Sequence, residues 1–438
     1  MRMRQRRFAF LERSIRRERG FRWAILAATL AAVVVVLGIF PWEFLLTRAL
    51  DAWAGQSYRD SLHTFRTRDE IDASWREFRR AGIERTQGQV ARYSAENNEA
   101  FRALLRYAAM DPDHALFGWG NFDWTLLLSS KVFEPDEKLS YRLRPGVRSV
   151  WLHGKDGKSE GNAFFLIPDG PELAELVRPT RMRIVEGSRQ LTNSWGLRGP
   201  EPDPGAKLRV LILGDSIMQG MFIGQDETPP ECLRRHLERA IGGPVSVLNT
   251  GLMGYSPEQY YYSMERYADR FRPDAVVVSV FANDCGSIAK AVDRGEGDWK
   301  EGRYWLGRIV ERCEARGWPY LIVPAPYELD LVRRRHPGNY PGALANVLAP
   351  EGASYFDPSE DFLNAHLKAR MESRRAGKTP EGCVLFNDAL MDAHFSAAGA
   401  EVWAESVGRR LLLRIEDFRA SMPAKGPAVS PDRGGNRS

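Results

Sequence analysis

The chain has 438 residues, 43% hydrophobic and 27% charged, which is enough for more than one domain and is the composition of a folded protein. Of its 62 basic and 57 acidic residues, nine arginines and two glutamates (Glu12 and Glu18) fall within residues 1–22, leaving 53 and 55 for the rest. The net charge of +5 is therefore a property of one end, and a nucleic-acid surface built on charge is excluded for the folded part.

The Arg-rich leader, residues 1–22, abuts Trp23–Phe40, which holds no charged residue, and Phe44, Leu45 and Leu46 extend the apolar run. About twenty apolar residues span a bilayer, and arginines before the span keep the N-terminus in the cytoplasm. Residues 23–46 thus read as a signal anchor, with the bulk of the chain outside the cytoplasm. A cleaved signal peptide is the alternative, but its best cleavage site, Ala52-Trp53-Ala54, lies well beyond a normal signal core.

Residues 47–130 read as a helical stalk or layer, from apolar positions such as Ile71, Trp75, Phe78, Phe101, Leu104, Leu105 and Ala108. Within it, Leu116–Leu128 is too short to span a membrane and reads as a buried or interfacial segment. Asp111-Pro112-Asp113-His114 has the look of a metal cluster, but a polar proline turn explains it better. Residues 131–206 form a small β-rich accessory region, with strand candidates Val147–Leu152, Ala163–Ile167 and Arg181–Val185 among Gly and Pro. In its last part, Arg198 is a candidate for a substrate anion or, preferably, for a core carboxylate.

Residues 207–420 alternate strand and helix. Val210–Leu213, Val245–Asn249 and Ala275–Phe281 are short, β-branched apolar runs suited to strands buried on both faces. Thr228-Pro229-Pro230-Glu231 and Ser256-Pro257-Glu258-Gln259 start the intervening helices as capping boxes with proline at the first position. Right-handed crossovers then make a parallel sheet. A helix near Trp305–Arg316, a fourth strand at Tyr320–Val323, a fifth at Ser354–Asp357 and a terminal helix presenting Val402, Trp403, Val407 and Leu411 complete it. The expected architecture is α/β: a flavodoxin-like three-layer α/β/α domain with a five-stranded parallel sheet in the order 2-1-3-4-5. Residues 331–339 read as a basic, solvated loop and residues 421–438 as a disordered tail.

That order sets Ser216, after the first strand, between Gly254 and Asn283, which follow the second and third. Ligands bind at the carboxyl ends of such strands. Ordinary turn residues are the alternative for both Ser216 and Asn283-Asp284.

Gly214-Asp215-Ser216, the Asn249-to-Gly254 interval, Asn283-Asp284 and the late Asp392-Ala393-His394 together resemble the SGNH/GDSL hydrolase superfamily, over residues 208 to about 415. The resemblance implies Ser216 as nucleophile, His394 as its base, and the Ser216 and Gly254 N–H groups and the Asn283 amide as oxyanion donors. Asp215 and Asp284 fall near the site in structural roles. Many members carry Asp-x-x-His, whereas one residue separates Asp392 from His394, a spacing similar to that of polysaccharide O-acetyltransferase-like branches. On an extended segment Asp392 and His394 point to the same side, so Asp392 can orient the imidazole, with Asp388 as its rival.

This chemistry needs no cofactor and no metal, and the sequence holds no H-E-x-x-H, paired-Cys or Gly-rich phosphate motif. The expected protein is a membrane-anchored extracytoplasmic serine esterase or deacylase, acting on O-acylated cell-surface glycans or small esters. An O-acyltransferase and a non-catalytic binding module on the same fold are the alternatives. Of the four cysteines, Cys232, Cys285, Cys313 and Cys383, at least two read as buried free thiols, and no oligomeric state is legible.

Overall fold

A computed structural model of the chain describes residues 116–120, 124–155, 162–171, 173, 183–281, 300–326, 344, 354–377, 384–387 and 392–421. The segments expected as anchor (23–46), stalk up to residue 115, basic loop (331–339) and residues 422–438 of the expected tail lie outside them. Among the described residues no helix is long and apolar enough to cross a membrane.

The catalytic half begins with β9 (Leu208–Leu213) and continues through β10 (Val245–Asn249), β11 (Ala275–Val280) and β12 (Tyr320–Pro324). These form one parallel sheet in the order β10-β9-β11-β12, so the first strand lies between the second and third as expected. Alternate residues feed two cores. Leu211, Leu213, Val276 and Val278 pack with helices α3 (Pro257–Phe271) and α4 (Lys300–Arg316). Val210, Ile212, Val277 and Val323 pack on the other face with α2 (Pro229–Ile241) and α6 (Ala397–Ser421), where Trp403, Val407 and Leu411 are wholly buried. Apolar residues on both sides of a strand require cover on both sides, and the three layers supply it.

The helix starts follow local chemistry. Thr228 Oγ1 accepts the Glu231 N–H at 3.4 Å, but the Glu231 carboxylate turns to Arg234 Nε at 2.9 Å, which leaves the box half-made. At Ser256 the reciprocal half is present, with Gln259 Oε1 accepting the Ser256 N–H at 3.1 Å.

The fifth strand is a correction. Residues 354–357 meet β12 through a single parallel bridge, Ile322 to Tyr355, so among the described residues the sheet has four strands. The Ile322 N–H reaches Ser354 O at 2.8 Å and the Phe356 N–H reaches Ile322 O at 3.0 Å. Pro358, which has no N–H to give a ladder, follows at once, and α5 (Ser359–Arg375) begins.

A second correction concerns residues 116–129. They are strands β1 (Leu116–Gly120) and β2 (Trp124–Ser129), not part of a helical layer. With β5 (Arg148–Lys155), β6 (Asn162–Pro168), β7 (Arg183–Ile184) and β8 (Gln190–Leu191) they build a mixed sheet in the order β1-β2-β6-β5-β7, with β8 also on β5. A short apolar, aromatic run suits a buried strand as well as a helix, and its pairing with β6 decides the matter. A hairpin of β3 (Phe133–Asp136) and β4 (Ser140–Leu143) stands beside this sheet. Leu128, Phe133, Tyr141 and Trp151 share one continuous core with Leu213, Leu248 and Tyr260, so the accessory region is packed into the catalytic half.

Candidate active site

At the end of β9, Gly214 and Asp215 turn the chain into the four-residue helix α1 (Ser216–Gln219). Asp215 caps it: its Oδ1 accepts the Ile217 N–H at 2.9 Å, and its Oδ2 lies 3.5 Å from Ser216 Oγ. Burial raises the Asp215 carboxyl to about 6, against the pull of the Ile217 N–H and of His394. The N–H of Ser216, in the first turn, has no partner inside the helix.

The other end of α1 is held by Arg198. Its Nη1 donates to Gln219 O (2.8 Å) and Gly220 O (2.5 Å), and its Nη2 to Ile223 O (2.7 Å). Its Nε faces Gln225 Oε1 at 3.3 Å. Gln219 O is a carbonyl that the helix end leaves without an intrahelical partner, and Gly220 O and Ile223 O belong to the loop that follows; one guanidinium fork reaches all three. Arg198 is thus neither a substrate contact nor the partner of a core carboxylate, which corrects both expectations. Burial lowers its guanidinium to about 9, with Glu227 and Glu231 pulling the other way, so it stays charged at neutral pH.

The loop after β10 is laid against the same helix. Asn249 Nδ2 donates to Met218 O at 2.9 Å, and Asn249 Oδ1 accepts the Gly251 N–H at 2.9 Å. Gln219 Oε1 accepts the Met253 N–H at 2.9 Å. A Cβ on Gly251 would stand 2.9 Å from both Asp215 O and Gln219 N, so this approach requires glycine. A turn follows, closed by the Tyr255 N–H on Leu252 O at 3.1 Å, with exposed Gly254 at φ 73°.

His394 arrives from the far end of the chain on β14 (Asp392–Phe395), which pairs antiparallel with β13 (Phe386–Asn387). Its Nε2 lies 2.7 Å from Ser216 Oγ. With Nδ1 protonated, Nε2 accepts the Ser216 O–H. The edge of this pair is lined by Phe222, whose ring meets the imidazole at 5.9 Å and 76°. Phe222 has φ 68°, a costly conformation for a bulky residue, and is buried against Trp151 and Phe164 of the accessory sheet at 5.0 and 4.6 Å.

Ser216, His394 and Asp215 are therefore brought together, and Gly254 is on a loop tied to the helix that Ser216 begins. Asn283, Asp284 and Asp388 lie outside the described residues, as do Cys285 and Cys383. Asp392 is in extended backbone, as its spacing requires, but its side chain is outside them too. His153 stacks on Phe164 and His366 is buried, both in packing positions. Cys232 and Cys313 are buried free thiols, each pushed up to about 12 by burial. Among the described residues no group of His, Cys, Asp or Glu is arranged to hold a metal ion. Sequence reasoning missed Gln219, Phe222 and the role of Arg198. Only Arg198 carried a signal, as an arginine set between Leu197 and Gly199 in a turn-rich segment.

A serine just past the carboxyl end of a central parallel strand, hydrogen-bonded to a histidine from the last strand, is the pairing that serine hydrolases use. Residues 212–402 match the GDSL-like lipase/acylhydrolase family, so this part of the chain is similar to the SGNH/GDSL hydrolases. Among curated proteins none matches the chain by sequence. Several solved structures are similar to it. One is the acetyl xylan esterase AlAXEase, 17% identical with a TM-score of 0.35 over 46% of this chain and 99% of that one. A lipase/acylhydrolase from Enterococcus faecalis is 18% identical with a TM-score of 0.32 over 47% of this chain and 96% of its own. An Axe2 acetylxylan esterase variant from Geobacillus stearothermophilus is 16% identical with a TM-score of 0.35 over 47% and 95%.

Proposed function

We propose that the protein is a membrane-anchored, extracytoplasmic serine esterase that removes O-acyl groups from cell-surface glycans or small esters through an acyl-enzyme on Ser216. The observation that carries the chemistry is the 2.7 Å contact between His394 Nε2 and Ser216 Oγ. A serine hydroxyl is a poor nucleophile until a base takes its proton, and His394 is placed to take it. The Ser216 Oγ attacks the ester carbonyl, the proton passes to Nε2, and His394 then returns it to the leaving alcohol. Water repeats the cycle on the acyl-enzyme. The oxyanion formed at each stage is met by the N–H groups of Ser216 and Gly254 and by the Asn283 side-chain amide. Asp392 orients the imidazole by accepting from Nδ1.

The nine arginines before Trp23–Phe40 support the anchor and its orientation. The test is turnover of an activated acetyl ester by the full-length protein in detergent, with and without oligosaccharide acceptors. Ser216-dependent hydrolysis is expected. Product that forms only with an acceptor would establish an O-acyltransferase instead, and no turnover would leave a binding module. In the same assay Asn283→Ala should lower kcat about 10²–10³-fold with KM little changed.

A further inference from the structure

The accessory hairpin reaches the loop after β10 through Tyr141. Tyr141 on β4 donates its hydroxyl to Met253 O, and Tyr255 returns the contact, its Oη donating to Tyr141 O at 2.7 Å. Tyr141 is buried, with its ring packed between Phe133 (5.9 Å) and Tyr255 (5.8 Å).

The carbonyl it holds belongs to the central peptide of the Leu252–Tyr255 turn. That turn has Gly254 at φ 73° while Met253 keeps negative φ, which is the type II pattern. Type I and type II turns differ by a half-rotation of this one peptide unit. The peptide is planar and trans, so the Met253 carbonyl and the Gly254 N–H point in opposite directions and turn together. In type II the Met253 oxygen meets Tyr141. In type I the same rotation would carry that oxygen to the side now occupied by the Gly254 N–H. A carbonyl facing the reaction centre would repel a developing oxyanion that an N–H would stabilise.

We propose that Tyr141 is a positioning residue for the oxyanion site: its hydroxyl holds the Met253–Gly254 peptide in the orientation that presents the Gly254 N–H to the substrate. This rests on the esterase reading and on Gly254 as an oxyanion donor. Gln219 holds the preceding N–H, so the turn is clamped from the nucleophile helix on one side and from the accessory region on the other. The accessory region is then part of the catalytic apparatus, which a hydrolase domain confined to residues 212–402 lacks.

The test compares Tyr141→Phe, Gly254→Ala and their double variant with wild type in the full-length protein. It reads kcat and KM on an acetyl ester and the rate of Ser216 labelling by a phosphonate. Tyr141→Phe keeps the ring and removes the hydroxyl. It should lower kcat and the labelling rate together, about 10–10²-fold, with KM within about two-fold. Gly254 is exposed, so Gly254→Ala spares the core, yet alanine disfavours positive φ and should cause the same kcat-selective loss. The double variant should be no worse than the poorer single one, because both release the same peptide. Tyr255→Phe breaks the other hydrogen bond between the same elements and should lower stability more than kcat. Wild-type kcat in folded Tyr141→Phe overturns the proposal. So does a kcat loss in Tyr255→Phe equal to that in Tyr141→Phe, or additive losses in the double variant. Labelling of Ser216→Ala as fast as wild type overturns the esterase reading itself, and this proposal with it.

Discussion

His394 Nε2 and Ser216 Oγ stand 2.7 Å apart although 178 residues separate them in the chain. One residue opens the short helix after the first strand of the parallel sheet, and the other lies on a small antiparallel pair just before the last helix. Neither element alone has a reason to place a reactive group, but α6 packs along α2 and carries β14 back to the head of β9.

If the two act as a unit, their losses cannot add. Ser216→Ala and His394→Ala should each lower kcat about 10⁴-fold or more, and the double variant should be no slower than the worse single one. Steady-state rates of the three variants on an acetyl ester check this. A double variant slower by the product of the single effects would show that they work separately.

Arg198 should be irreplaceable by lysine. Lysine keeps the charge but loses the fork that reaches Gln219 O, Gly220 O and Ile223 O together. Leaving one or two buried carbonyls unpaired should cost about 1–3 kcal/mol in Arg198→Lys. Urea midpoints of the two proteins measure it, and an unchanged midpoint would remove Arg198 from the support of the Ser216 helix.

The Asp215 carboxyl titrates at about 6 in the folded state because burial disfavours its charge. A raised folded value means that its contribution to stability is fully present below the unfolded carboxylate range, near 4, and is lost as pH rises through about 6. Asp215→Asn has no such titration. The stability of wild type relative to Asp215→Asn should therefore improve as pH is lowered from 7 to 4, with most of the change between about 6 and 4. Denaturation at several pH values reports this, and a constant difference would contradict the assigned shift.

Gly251 marks where the second strand's loop touches the nucleophile turn. An added methyl meets Met218 Cβ at 2.6 Å and two backbone atoms at 2.9 Å, none of which can swing away. Gly251→Ala should destabilise the protein by about 1–3 kcal/mol and lower kcat, since the loop that carries Gly254 is displaced. Thermal unfolding and esterase rates measured on one preparation test both. Unchanged values would mean that the loop has room to move.

How far the chain could be read before its structure was known depended on the range of the interactions. Val210–Leu213 followed by Gly214-Asp215-Ser216 is a local pattern, and strand, turn and serine are where it put them. Thr228 and Ser256 start their helices because a cap acts over three residues. Paired apolar faces on successive strands required helices on both sides, and the 2-1-3-4 order is that of the flavodoxin-like arrangement expected for such a sheet. The fifth strand failed because edge pairing depends on how long a segment stays in register with its neighbour, which composition does not show. Leu116–Ser129 was misassigned because a short apolar run carries no period that separates strand from helix, and its partner β6 comes only after β5. The sequence by itself determined the strand and turn that carry Ser216 and the likeness to the hydrolase family. Only the tertiary structure decided that Arg198 holds the carbonyls behind Ser216, that Phe222 walls His394, and that Tyr141 meets Met253 across 112 residues. Such contacts join buried polar or aromatic groups far apart in the chain, and their partners are chosen by packing rather than by any local spacing.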